Sequence, residues 1–347
     1  MSEKPVGVIG AGSFGSTVAN LLAENSKVYL FARNKEQFRQ MVENRKTRDY
    51  PLHDNITPIE TLEELATKAE IIFPVVSSSG FREMIKNIAP HLNPYHTLIH
   101  GTKGLDVSLP KGKNINDPDV IISRENVKTM SEVILEETGV VKVGCLAGPN
   151  LAREIADKHP AATVVASRFD TVIADGQRLL RNERFQVYGN KDLIGIELTG
   201  VLKNIIAIAA GALSGLGYGE NARALLVSRG MVEMIHLGKA LGGNTEAFIG
   251  LAGIGDLIAT CSSSLSRNFT VGYRLAQGEK IHDIVDSMQE VAEGINTIRI
   301  VEKFAEYYQF RAPITEKLYE VLFEDLTVEE ALQYLMKIPL NVDIDFL

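Results

Sequence analysis

The stretch 197-ELTGVLKNIIAIAAGALSGLGYGE-220 reads as a long apolar helix, yet it carries an ammonium, Lys203, and an amide, Asn204, in its most hydrophobic turns. Burying an unpaired charge costs several kcal/mol, so a lysine kept there needs a reason. Proton transfer is one such reason. Other segments offer complementary chemistry. In 100-HGTKGL-105, Lys103 sits in a glycine-flanked turn after an apolar run, and in 148-GPNLAREIA-156, Gly148 and Pro149 shape a turn whose amides from Asn150 to Ala152 open a helix. In 250-GLAGIGDLIATCSSSLSRNF-269, Asp256 and Thr260 are spaced i, i+4 on one helix face, and Arg267 with Asn268 begins another helix, a ready anion site.

The cofactor end is read from 10-GAGSFG-15, a G-x-G-x-x-G that follows the apolar run 5-PVGVI-9 and opens a helix. Gly10 permits a tight turn, Gly12 lets the backbone approach a pyrophosphate, and Gly15 allows close helix packing. The helix N-terminus then offers N–H groups and a positive dipole end to the diphosphate. An unphosphorylated ribose is usually met by an acid about 20 residues further on. Here 27-KVYLF-31 runs into 32-ARNKE-36, with Arg33 and Lys35 where a carboxylate is expected and Glu36 past the strand end. A guanidinium there favours a 2′-phosphate, hence NADPH over NADH, although a solvated surface arginine would read the same way. With a dinucleotide site, no cysteine in a polar setting and no metal-ligand spacing, the expected chemistry is hydride transfer assisted by an acid or base.

These groups need a scaffold. The first part of the chain alternates apolar runs (5–10, 27–31, 70–76, 96–100, 141–148) with segments of helical spacing, which predicts a parallel sheet covered on both faces. The runs 162–167 and 185–190 can extend it, while 44–57 and 105–119 read as loops. From about residue 193 the helical patterns follow one another without strand pairs. The expected fold is therefore a Rossmann-type doubly wound α/β domain over 1–192 and an all-helical substrate and catalytic domain over 193–347, a pairing that usually sets the active site in the cleft between them.

Composition narrows the partners. The 347 residues carry 36 basic and 44 acidic side chains, a formal charge of −8, which argues against a nucleic-acid surface. Cys145 and Cys261 have small or apolar neighbours and read as reduced packing residues, placing the chain in the cytoplasm. No secretory signal and no membrane span are expected, since Lys203 and Asn204 interrupt the best apolar stretch.

GAGSFG, HGTKGL, GPNLAREIA, ELTGVLKNIIAIAAG, GLGYGENARALLVSRGMVEM, GDLIATC and SRN, in this order across nearly the whole chain, resemble the motif set of the NAD(P)-dependent sn-glycerol-3-phosphate dehydrogenases. The resemblance implies interconversion of dihydroxyacetone phosphate and sn-glycerol 3-phosphate, feeding phospholipid synthesis, by a Rossmann domain plus a helical domain that forms a homodimer. It implies that Lys203 is the proton donor and acceptor for the C2 oxygen, with Lys103, Asn204, Asp256 and Thr260 around it. Gly148, Asn150, Asp256, Ser266, Arg267 and Asn268 would contact the phosphorylated substrate, and Ser13, Phe14, Arg33, Lys103, Ala152, Arg267, Val291 and Glu293 the cofactor.

Three departures from that pattern stand out. Asn150 replaces the Ser or Thr usual in bacterial members, Val76-Ser77-Ser78 replaces Val-Pro-Ser, and the 105–125 loop is longer than usual. For Lys203 to act as a base near neutral pH, its pKa must fall from about 10.4; an apolar helix face and Lys103 would push it down, and Asp256 would oppose that. Two other readings fit a two-domain dinucleotide binder: a ketopantoate or hydroxyacid dehydrogenase, and a non-catalytic NADPH sensor.

Overall fold

Eight short apolar runs become strands in the computed structural model, which describes residues 4–48, 50–117, 119–288 and 292–337. They are β1 (Val6–Ile9), β2 (Val28–Phe31), β3 (Ile56–Ile59), β4 (Ile71–Pro74), β5 (Thr97–His100), β6 (Lys142–Ala147), β7 (Ala161–Ser167) and β8 (Phe185–Asn190). They form one sheet in the order β8-β7-β6-β5-β4-β1-β2-β3. Neighbours are parallel except β6 and β7, which run antiparallel. Successive strand residues feed opposite faces: Val6, Val8, Phe73 and Ile99 enter one core with Val18, Leu22 and Met41, whereas Ile9, Ile72 and Leu98 enter another with Phe81, Ile85 and Val133. This is the doubly wound sheet that the alternating pattern predicts.

Two strand features differ from the sequence reading. Ile56–Ile59 lies partly in the stretch read as a loop; it is an edge strand paired only with β2 and contains Pro58, which has no N–H to donate and is tolerated at an edge. The sequence pattern predicts a parallel extension here, whereas β6 and β7, joined through the helix Ala152–Ala156, run antiparallel.

The chain divides into two compact units, one of Met1–Asp106 with Thr129–Glu197, the other of Val107–Lys128 with Leu198–Leu347. Val107–Lys128 thus groups with the helices, whereas the boundary expected at 192 leaves it in the first domain. Lys303 Nζ donates to the carbonyls of Asp117 and Val120 at 3.0 and 3.2 Å, Arg124 Nε donates to the Leu241 carbonyl at 2.9 Å, and Val120 and Ile122 are buried.

From Leu198 onward the described secondary structure is helical. Leu193–Gly215 is the one described helix long and apolar enough to cross a membrane, but 89% of that stretch is buried within the fold, as suits a helix apolar on all sides. It crosses the helix Arg267–Ala276 almost backbone to backbone: a Cβ on Gly272 would stand 1.8 Å from the Ile208 carbonyl oxygen. Only glycine fits there. This close crossing carries Arg267 and Asn268 to the helix that holds Lys203.

Candidate active site

At the dinucleotide end, β1 passes into Gly10, whose φ of +110° is one that residues with a side chain rarely adopt. Its backbone packs so closely that a Cβ would lie 2.2 Å from the Val75 carbonyl oxygen. Gly12 then precedes the helix Ser13–Ala23, whose N-terminus carries no side-chain cap, and a Cβ at Gly12 would meet nothing within 4 Å. Open space over an uncapped helix N-terminus suits a diphosphate. Gly15 is buried, and Phe14 packs on the core and against Gly101. Ser13 Oγ lies 3.4 Å from the Tyr50 hydroxyl.

Beyond β2, Asn34 caps the helix Lys35–Asn44 by accepting from Gln37 N at 3.0 Å. Glu36 therefore falls in that helix, ion-paired with Arg39 at 3.1 Å on the surface, and Arg33 is exposed between strand and helix. The position where a carboxylate would hold a ribose diol is basic.

The segment Val76-Ser77-Ser78 is anchored at its start. Val75 N donates to the Ile9 carbonyl at 2.8 Å, Thr102 Oγ1 donates to the Val76 carbonyl at 2.7 Å, and a short 3-10 turn, Ser78–Gly80, leads into the helix Phe81–Ile88. The same Thr102 precedes Lys103. Half-buried Lys103 donates from Nζ to the Gly148 carbonyl at 3.1 Å, which brings together two of the expected substrate contacts. Asn150 joins them through the sheet: its Nδ2 donates to the Ala162 carbonyl at 3.0 Å and its Oδ1 accepts from Thr163 Oγ1 at 2.9 Å. The carbonyl of Ala152 lies 3.4 Å from Thr17 Oγ1 on the glycine-loop helix.

One network in this unit has no forerunner in the sequence reading. Glu197 accepts at Oε2 from Thr129 Oγ1 at 3.0 Å and at Oε1 from Ser131 N at 2.9 Å, and its Oε1 lies 2.9 Å from His100 Nε2. A carboxylate only accepts, so the geometry assigns the hydrogen to Nε2. Glu197 and His100 are both buried, and the carboxylate ties the strand end before Lys103 to the start of the helix Met130–Glu137. The partners lie more than sixty residues apart in sequence, so no local spacing announces them.

In the helical unit the oddly placed lysine finds its partners. Lys203 Nζ donates to Asp256 Oδ1 at 2.8 Å and also to Thr260 Oγ1. Thr260 in turn donates to the Asp256 carbonyl at 2.6 Å, so its hydroxyl is oriented with a lone pair toward the ammonium. A π-helical turn, Leu251–Gly255, sets the start of the helix Asp256–Ser262; such turns are frequent at functional sites. Lys203, Asn204, Asp256 and Thr260 are all buried, and Asn204 Nδ2 donates to the Gly200 carbonyl at 3.3 Å.

Ser266 caps the helix Arg267–Ala276 by accepting from Phe269 N at 3.3 Å. Arg267 is exposed in the first turn of that helix. Asn268 uses its Oδ1 to accept from Gly294 N at 3.0 Å, which turns the amide nitrogen into the end available to an anion. Half-buried Glu293 begins the helix Glu293–Tyr308, and Val291 lies outside the described residues. Cys145 and Cys261 are buried. Burial pushes both thiols up, Cys261 to about 12 although the Lys203 ammonium opposes it, so neither has the thiolate character of a nucleophile.

The sequence and the fold both find relatives. Residues 5–172 match the family model of the NAD-dependent glycerol-3-phosphate dehydrogenase N-terminus, and residues 192–333 match that of its C-terminus. A glycerol-3-phosphate dehydrogenase (NAD(P)+) of Pseudomonas putida is 40% identical over 99% of this chain and 97% of its own length, and one of Pseudomonas aeruginosa is 37% identical over 99% and 98%. The crystal structure of a glycerol-3-phosphate dehydrogenase from Coxiella burnetii superposes with a TM-score of 0.85 at 33% identity, covering 96% of this chain and 99% of that one. A ketopantoate reductase from Ralstonia eutropha shares the fold at a TM-score of 0.57 and 13% identity, over 95% of this chain and 99% of that one. With the glycine loop, Lys103, Lys203 and the helix Arg267–Ala276 each on a segment the family models span, the chain belongs to the NAD-dependent glycerol-3-phosphate dehydrogenase family.

Proposed function

We propose that this protein interconverts dihydroxyacetone phosphate and sn-glycerol 3-phosphate, using NADPH in preference to NADH, with Lys203 as the proton donor and acceptor. The observation that carries the reading is the buried Lys203, Asp256 and Thr260 cluster. An ammonium fixed by a carboxylate and an oriented hydroxyl is a positioned proton source, and a ketone oxygen gaining charge is the group this chemistry serves.

The bound dinucleotide supplies the hydride that adds to C2 of the ketone. Every other role falls to the chain. The Lys203 ammonium stabilises the charge growing on the C2 oxygen and then donates a proton to it; in the reverse direction the neutral amine takes that proton back. Asp256 and Thr260 fix Nζ. Lys103, Gly148, Asn150 and Asn204 position the substrate's polar groups, while Ser266, Arg267 and Asn268 at a helix N-terminus take its phosphate. Gly10, Gly12, Ser13, Phe14 and Gly15 cradle the dinucleotide, Arg33 meets a 2′-phosphate, and Lys103, Ala152, Arg267, Val291 and Glu293 complete the cofactor contacts. The same reading makes the protein a cytoplasmic homodimer that supplies glycerol 3-phosphate for phospholipid synthesis.

Initial rates with dihydroxyacetone phosphate and each reduced cofactor in turn test the proposal. Oxidation of both, with the larger kcat/KM for NADPH, is the expected result. No oxidation with this ketone, alongside turnover of ketopantoate or a 2-oxo acid, would overturn it.

A further inference from the structure

We infer that Thr163 is a positioning residue for the substrate, acting by locking the orientation of the Asn150 amide. Thr163 stands on β7 and is 2% exposed, so it is no surface contact. Because β7 runs antiparallel to β6, with Ala147 paired to Val164, the side chain of Thr163 comes back beside the end of β6, where the loop carrying Gly148 and Asn150 begins. Its Oγ1 lies 2.9 Å from Asn150 Oδ1 and 3.1 Å from the Ala147 carbonyl.

An amide side chain can adopt either of two orientations, and the neighbours decide which. Asn150 Nδ2 faces the Ala162 carbonyl at 3.0 Å, an acceptor that a flipped Oδ1 would repel. Oδ1 therefore points to Thr163, whose single hydroxyl proton is shared between Oδ1 at 2.9 Å and the Ala147 carbonyl at 3.1 Å. With one N–H given to Ala162 and the oxygen given to Thr163, Asn150 retains one N–H of fixed direction. The same loop supplies the Gly148 carbonyl that receives Lys103 at 3.1 Å, so Thr163 braces the segment that presents Gly148 and Asn150 alongside Lys103. Removing the hydroxyl leaves the amide held by the Ala162 carbonyl alone, one hydrogen bond where there were two. An amide held by one bond is less firmly ordered and must be ordered further each time substrate binds, which weakens substrate binding and leaves the glycine loop untouched.

This inference rests on the reading of Asn150 as a substrate contact, and the experiment separates the two. The probes are dihydroxyacetone phosphate for steady-state kinetics and NADPH alone for fluorescence titration. Thr163→Val keeps the shape and strand preference of the side chain while deleting the hydroxyl. It is expected to raise KM for dihydroxyacetone phosphate about fivefold, the scale of one neutral hydrogen bond, with kcat and the NADPH Kd within about twofold of wild type. Thr163→Ser restores the hydroxyl and the wild-type KM. In an Asn150→Ala background, Thr163→Val adds nothing further, because the two act as one unit.

A Thr163→Val enzyme with unchanged KM beside an Asn150→Ala enzyme with raised KM would overturn the inference alone. So would Thr163→Val exerting its full effect in the Asn150→Ala background. An unchanged KM in Asn150→Ala would overturn the substrate role of Asn150 and the inference with it. Should the valine variant not fold, Thr163→Ala read by the same assays gives the same discrimination.

Discussion

The ammonium of Lys203 stands 2.8 Å from Oδ1 of Asp256, fifty-three residues away, with only 6% and 3% of the two side chains exposed. Two charges so deeply buried are tolerable only as a pair, since removing either leaves the other uncompensated at a cost of about 3–5 kcal/mol. An interaction that demanding adds little to stability over a hydrophobic pair, so its retention favours chemistry.

Lys203→Ala is expected to lower kcat for dihydroxyacetone phosphate by about a hundredfold or more, the scale of a lost positioned acid. Because this variant also strands the Asp256 carboxylate, its melting temperature is read in parallel, and Lys203→Met, which refills the volume, is assayed beside it. A folded variant with near wild-type kcat at saturating substrate would remove Lys203 from the mechanism.

Arg267→Ala should act on binding. On the proposed function, the guanidinium at the first position of the helix Arg267–Ala276 gives the phosphate a charge-assisted contact, so its loss is expected to raise KM for the phosphorylated substrate about tenfold or more. An unchanged KM would show that the phosphate is held elsewhere.

On the proposed function, Arg33 is expected to discriminate between the cofactors. With Glu36 drawn into the next helix and paired to Arg39, the ribose end of the site presents a basic group. Arg33→Ala is expected to raise KM for NADPH about tenfold while KM for NADH stays near its original value. Equal changes for both cofactors would assign Arg33 to the surface.

Glu302 makes stability depend on pH. Burial, and then the carboxylates of Glu316, Glu306, Glu233 and Glu320, push its pKa up from 4.5 to about 7. The folded state therefore holds this proton more tightly than the unfolded state, and the stabilisation is fully present below 4.5 and lost as pH rises through about 7. Glu302→Gln should raise the melting temperature at pH 8 by about 2 °C or more, and by less at pH 5. The same increment at both pH values would trace the gain to packing.

Much of this molecule is local chemistry and so was open to reading from residue order. The glycine loop shows in G-x-G-x-x-G after an apolar run because backbone proximity to a diphosphate demands glycines at fixed spacing. The i, i+4 pair Asp256 and Thr260 shows because a helix places them on one face, and the α/β-then-helical order shows because the hydrophobic period changes near residue 193. The edge strand Ile56–Ile59 escaped because four residues containing a proline carry too little periodicity, and the grouping of 107–128 with the second unit was not legible because its polar composition does not say where Val120 and Ile122 are buried.

Residue types, their spacing and the family resemblance were thus set by the sequence, down to the prominence of a lysine in an apolar helix. Which groups face which was decided by tertiary structure: Asp256 and Thr260 against Lys203, Glu197 against His100 and Ser131, Thr163 against Asn150. Each of those contacts joins segments that only chain folding brings within 3 Å or so, and hydrogen bonds act over that distance alone.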